Sequence, residues 1–156
     1  EPLIQQSSIL LSESLTRLRI SHEIVGFGAT SSESLLIKPF NMSGKNTHAR
    51  LGGMTSHVGG FTPMAEGMFF TGARLLQQKS QRKVMFIITD GEPDSKEDAI
   101  NTLHALEADN VEAVFFLVGG SVSSQWLEEA AAKYIFVPDV NALPQASMEQ
   151  LSAVLS

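Results

Sequence analysis

The chain has 156 residues, 43% of them hydrophobic and 18% charged, enough for one globular domain with a substantial core. Its 17 acidic residues outnumber 11 basic ones, and the resulting net charge of −6 argues against a nucleic-acid partner. It has no cysteine, which excludes a disulfide framework, a zinc-thiolate site and a cysteine nucleophile, and no apolar run long enough to span a membrane.

Pro2 suits the first turn of a helix, and Leu3, Leu10, Leu11, Leu15 and Leu18 recur near helical spacing, so residues 2–19 are predicted as an amphipathic helix. His22–Gly28 (HEIVGFG) and Ser34–Phe40 (SLLIKPF) read as two short strands, with Pro39 placing the second at a sheet edge. Their short link predicts an antiparallel hairpin. Residues 41–61 hold Gly44, Gly52, Gly53, Gly59 and Gly60 without any sustained period, and a long loop of that kind inside a domain is commonly functional. It ends at Thr62-Pro63, an N-cap followed by a first helical position. The helix predicted from there runs to about Gln78, with Met64, Met68, Leu75 and Leu76 facing inward and Phe69 and Phe70 in the same core stripe.

Val84–Thr89 (VMFIIT) is apolar on both faces, as in a strand covered by helices on both sides, and it runs straight into Asp90-Gly91. Asp94 and Glu97 form a D-x-x-E capping pattern for a helix over about 95–109. Glu112–Val118 (EAVFFLV) is a second apolar strand and ends at Gly119-Gly120. Ser124–Lys133 is predicted helical, Tyr134–Val137 a strand and Leu143–Leu155 a closing helix. From Thr62 onward helices and strands alternate, which implies an α/β domain with a mostly parallel sheet.

Ligands of an open parallel sheet bind beyond the carboxyl ends of its strands. Asp90 ends an apolar strand there, and Thr62 caps a helix that follows the glycine-rich loop. A carboxylate leaving a buried strand needs compensation, from a cation or from the amides of the next turn. A hydroxyl and a carboxylate are hard oxygen donors, suited to magnesium, manganese or calcium. Taken singly, Thr62 is a helix cap and Asp90 a turn former; on loops feeding one sheet edge they become candidate metal ligands. Glu66, Glu92 and Asp94 are candidates for rim charge around that edge. The four histidines, His22, His48, His57 and His104, show no ligand spacing on a defined helix and read as ordinary surface or core residues.

The stretches GGFTPMAEGM (59–68) and RKVMFIITDGEPD (82–94) resemble the second and third loops of the von Willebrand factor A (vWA) fold. EAVFFLVGG (112–120) resembles the family's next strand. The "TPM" helix start and the DG-containing turn are most similar to its cobalt/magnesium-chelatase branch. The resemblance runs over nearly the whole chain, as a single domain over 1–156. It implies a Rossmann-like, three-layer α/β/α fold with a mostly parallel central sheet and one antiparallel edge strand. It further implies that Thr62 and Asp90 belong to a metal-ion-dependent adhesion site (MIDAS) holding Mg2+, or Mn2+ or Ca2+ in its place.

One departure is serious. The family's first motif, Asp-x-Ser-x-Ser, follows its central first strand, and no such motif occurs here; Ser12-Glu13-Ser14 and Ser31–Ser34 do not follow an apolar strand. In the family that strand lies between the equivalents of 22–28 and 84–89, just before a helix that begins like Glu1-Pro2-Leu3-Ile4. The chain is therefore expected to be incomplete at its amino terminus, with the first strand missing and cation affinity weak or absent. Without that strand two apolar strands would leave unpaired edges, so residues 22–28 are expected not to pair directly with 84–89.

The sequence has no G-x-S-x-G elbow, no Walker loop and no G-x-G-x-x-G after a strand, so a non-enzyme is expected. The leading expectation is a protein–protein interaction module, whose ion accepts an acidic side chain from a partner protein. The chelatase-like resemblance implies an AAA+ ATPase as that partner, with no role for nucleic acid or membrane. A metal-free scaffold and a metal-dependent or nucleotide-binding enzyme are the alternatives. The absence of a signal-peptide pattern and of cysteine leads to an expectation of cytoplasmic location.

Overall fold

Strand Val111–Val118 is buried at every position but Glu112, and the rest of the domain is assembled around it. The computed structural model describes residues 2–17, 19–27, 34–38, 64–79, 82–89, 93–118 and 124–155. Its elements in chain order are α1 (Pro2–Arg17), β1 (Ile24–Phe27), β2 (Ser34–Lys38), α2 (Met64–Leu76), β3 (Lys83–Thr89), α3 (Lys96–Ala108), β4 (Val111–Val118), α4 (Gln125–Glu129), β5 (Lys133–Val137) and α5 (Leu143–Leu155). A single 3-10 turn, Val140–Ala142, leads into α5.

β3, β4 and β5 form a parallel sheet in that order, with Phe86 opposite Val114 and Val114 opposite Lys133. Because side chains alternate across a strand, the sheet has two distinct faces. Met85, Ile87, Ala113, Phe115 and Leu117 point to one, where they pack with Met64 and Met68 of α2, Ala99, Leu103 and Leu106 of α3, and Trp126 and Leu127 of α4. Val114, Phe116, Val118 and Val137 point to the other, against Leu11 and Leu15 of α1 and Leu143 of α5. The result is the three-layer α/β/α arrangement anticipated from the sequence. An edge-on contact reinforces each face, Phe115 with Trp126 at 5.4 Å and Phe86 with Phe116 at 5.1 Å between ring centroids.

β1 and β2 form the expected antiparallel hairpin, with Val25 opposite Leu36 and Phe27 opposite Ser34. Among the described residues this is a separate two-stranded sheet, and β1 does not pair with β3. Helix α2 nonetheless touches β1, β2 and β3, so one helix bridges the two sheets.

Several sequence expectations are corrected. α3 is capped by Ser95, whose hydroxyl accepts from the Asp98 amide at 3.2 Å, and Asp94 stands one residue outside. Ser95 holds the extended backbone a cap requires (φ −134°, ψ 109°), so the cap lies one residue later than the D-x-x-E pattern placed it. α4 ends at Glu129 because Ala131 turns into the left-handed region (φ 55°) and Lys133 is taken up in β5. On α2 the buried positions are Met64, Ala65, Gly67, Met68 and Gly72, while Phe69 is 70% and Leu76 38% exposed. Phe69 and Leu76 lie two turns apart and so share the outer face, which explains why both miss the core.

Candidate functional site

Helix directions locate the site edge. The carboxyl end of α2 connects through residues 77–82 to the amino end of β3, and α3 begins just beyond the carboxyl end of β3. Gly72 of α2 lies against Leu106 of α3, both late in their helices, so the two helices run side by side and opposite to the strands. The amino ends of α2 and α3 are therefore at the carboxyl edge of the β3–β4–β5 sheet, the edge at which such sheets bind ligands. Thr89, the last residue of β3, is 4% exposed, and Met64, the first of α2, is fully buried. Pro93 is buried at the same edge and Ser95 caps α3 there.

Thr62 and Asp90, the two predicted metal ligands, lie outside the described residues, as do Glu92, His48 and His57. Glu66 and Asp94 are described and both are exposed. Among the described residues no group of three or more histidine, cysteine, aspartate or glutamate side chains is placed to hold a metal ion. The two remaining histidines have structural partners, as expected. His22 Nδ1 donates to the Ile20 carbonyl at 2.9 Å and its Nε2 meets the Ser12 hydroxyl at 3.0 Å, while His104 Nε2 lies 3.1 Å from the Ala130 carbonyl. Thr62 and Asp90 suit a hard divalent cation in kind, but two protein ligands are few against the six or more oxygens such ions take.

At the opposite edge the structure brings together a pair that sequence reasoning missed. Arg74 Nε donates to Glu23 Oε1 at 2.7 Å, joining α2 to the residue that precedes β1. The Glu23 side chain is 3% exposed, and its second oxygen, Oε2, is buried without a hydrogen-bond partner among the described residues. The hydrogen bond from Arg74 to the Glu23 carboxylate holds the guanidinium above its ordinary pKa. The only signal in the sequence was an acidic residue heading a strand, which by itself reads as surface charge. Trp126 was also passed over; it is 1% exposed, and its indole Nε1 is likewise buried without a partner among the described residues.

Solved structures share this fold at low sequence identity. The chain is similar to a manganese-loaded TRAP protein of Plasmodium vivax, at 18% identity and a TM-score of 0.72, covering 91% of the chain and 62% of that structure. It is similar to a von Willebrand factor type A protein of Catenulispora acidiphila, at 15% identity and a TM-score of 0.65, covering 95% of the chain and 36% of that structure. The pilus adhesin SpaC of Lactobacillus rhamnosus GG is similar at 11% identity and a TM-score of 0.67, covering 97% and 27%. The chain thus spans less than two thirds of each of these proteins. No curated protein matches its sequence significantly. Among the described residues no helix is long and apolar enough to cross a membrane. The profile of the von Willebrand factor type A domain, a module that often mediates protein–protein interaction or adhesion, matches residues 5–149, and the chain belongs to that family.

Proposed function

We propose that the domain is a protein-binding module that uses a divalent cation at the carboxyl edge of its parallel sheet, with Thr62 and Asp90 as two ligands. The observation that carries this reading is the convergence at one edge of the end of β3 at Thr89 and the start of α2 at Met64. Asp90 follows the first directly and Thr62 precedes the second by two residues. The manganese carried by the Plasmodium relative supports a divalent cation in this fold. An acidic side chain of the partner protein would complete the coordination of Mg2+, Mn2+ or Ca2+, in a bridge strengthened by partial desolvation. The chelatase-like character of the TPM and DG loops favours an AAA+ ATPase as that partner, the domain itself being non-catalytic.

In this reading the sheet takes one more strand, between β1 and β3. Two features support it: β1 and β3 do not pair among the described residues, and both lie under α2. A strand there would bring further oxygen ligands to the Thr62 and Asp90 edge. With the present residues alone the site is expected to bind magnesium weakly, on the order of millimolar. Calorimetric magnesium titration tests the proposal. Heat lost in both Thr62→Ala and Asp90→Asn, with no nucleotide turnover, supports it. A folded chain whose response to magnesium is the same in Asp90→Asn would favour the metal-free scaffold.

A further inference from the structure

Among the described residues three large hydrophobic side chains are exposed, and two of them, Phe69 at 70% and Leu76 at 38%, lie on α2. At ~100° of turn per residue, both fall within ~60° of Gly72, where α2 meets Leu106 of α3. They lie on the side of Gly72 away from Met64 and Met68, which pack on the sheet. Phe69 and Leu76 therefore line the solvent side of the seam between the two helices. On α3 the same construction places Asp98, Thr102, Ala105 and Asp109 on the solvent side of Leu106, away from Leu103 and Ile100, which pack into the core. Both helices run in the same direction and Gly72 is level with Leu106, so Phe69 stands across the seam from Thr102, and Leu76 across from Asp109. Ala73 and Ala105, between them, are exposed and small enough to admit another helix. Asp98 and Asp109 are exposed and form no ion pair among the described residues. The seam thus has an apolar bank on α2 and an acidic bank on α3.

We infer that this seam docks an amphipathic helix of a partner protein, apolar along one stripe and basic along the adjoining flank. Phe69 and Leu76 are ~10 Å apart along the helix axis, the repeat over which a second helix presents apolar residues at i, i+4 and i+7. Asp98 and Asp109 are ~16 Å apart along α3, so a helix of about three to four turns reaches both with lysine or arginine on its α3 side. Charge selects this occupant. With a net charge of −6 and carboxylates at both ends of the seam, the surface repels nucleic acid and anionic membranes. A second copy of the chain would set its acidic bank against either the apolar or the acidic bank of the first, and neither pairing is complementary. A basic helix neutralises Asp98 and Asp109 while covering Phe69 and Leu76. This docking requires no cation, so it goes beyond the metal-dependent reading and stands apart from it.

The test uses the full chain, with EDTA present, and a fluorescent alanine–glutamine peptide of five helical turns. The peptide carries leucines at i, i+4 and i+7 and four lysines along one flank; its control has glutamate in place of each lysine. The lysine peptide is expected to bind on the order of tenfold or more tighter than the control, and to weaken as salt is added. Phe69→Ala, checked for folding by circular dichroism and Trp126 emission, is expected to weaken it on the order of tenfold. Asp98→Asn combined with Asp109→Asn is expected to remove most of the preference for lysine over glutamate. Absence of binding by either peptide, equal binding of the two, or unchanged binding to folded Phe69→Ala overturns the proposal. Self-association of the chain that Phe69→Ala abolishes overturns it as well, because a second copy would then be the occupant.

Discussion

Arg74 and Glu23 share a 2.7 Å hydrogen bond but not a common environment: the Arg74 side chain is 36% exposed and the Glu23 side chain 3%. Removing either partner therefore has unequal consequences. Arg74→Ala strands a carboxylate in the interior and is expected to be the more destabilising of the two changes. Glu23→Gln leaves a guanidinium that can turn to water, and a smaller loss is expected. Urea denaturation of the two variants measures the difference. The pair's contribution persists across the neutral range, because a guanidinium whose pKa is raised on folding loses its stabilising effect only in strong alkali.

A Cβ on Gly72 would overlap the Leu106 side chain. Gly72→Ala gains helix propensity of about 1 kcal/mol, but pushing a buried leucine aside costs typically 1–3 kcal/mol. A net loss of about 1 kcal/mol is expected in thermal or urea unfolding. Combining Gly72→Ala with Leu106→Val is expected to cost less than the sum of the two single changes, because the shorter side chain relieves the overlap.

The displaced cap gives a sharp contrast between adjacent residues. Ser95→Ala removes the hydroxyl that accepts from the Asp98 amide and should cost about 1 kcal/mol. Asp94→Ala, one position earlier and exposed, should stay within about 0.5 kcal/mol of the parent. Equal losses in the two variants would return the cap to Asp94.

Trp126 is the single tryptophan of the chain, and it reports on the α4 face of the sheet. Its burial predicts blue-shifted emission that moves to the red on unfolding. Phe115→Leu, which removes the edge-on ring beneath it, is expected to cost about 1–2 kcal/mol and to shift the native emission toward the red. Unchanged native emission would contradict the Phe115–Trp126 contact.

Much of this fold was legible because its strongest signals are long and periodic. The apolar runs of β3 and β4 and the alternation with helices led directly to a parallel sheet with helices on both faces. The failures are local. Phe69 and Leu76 are as hydrophobic as their buried neighbours, and only the tight approach of α2 to α3 at Gly72 decides which flank is inward. Asp94 and Ser95 are both good caps, and the choice between them rests on backbone geometry. Glu23 was invisible as a buried acid because its partner lies 51 residues away on another element. Thr62 and Asp90 were singled out as candidate ligands from two short loop motifs and their position relative to the predicted strand and helix ends. The described residues supply the end of β3 and the start of α2 that adjoin them in the chain, and no Asp-x-Ser-x-Ser motif occurs in the sequence.

The central claim, a divalent cation at the edge between the end of β3 and the start of α2, is tested most directly by manganese titration followed by amide NMR. Paramagnetic broadening is expected first at Thr89, Met64 and Ala65, with Arg74 and Lys83 at the opposite edge spared. Asp90→Asn is expected to abolish the local effect. Broadening that is uniform, that centres on the opposite edge, or that persists unchanged in Asp90→Asn would contradict the claim.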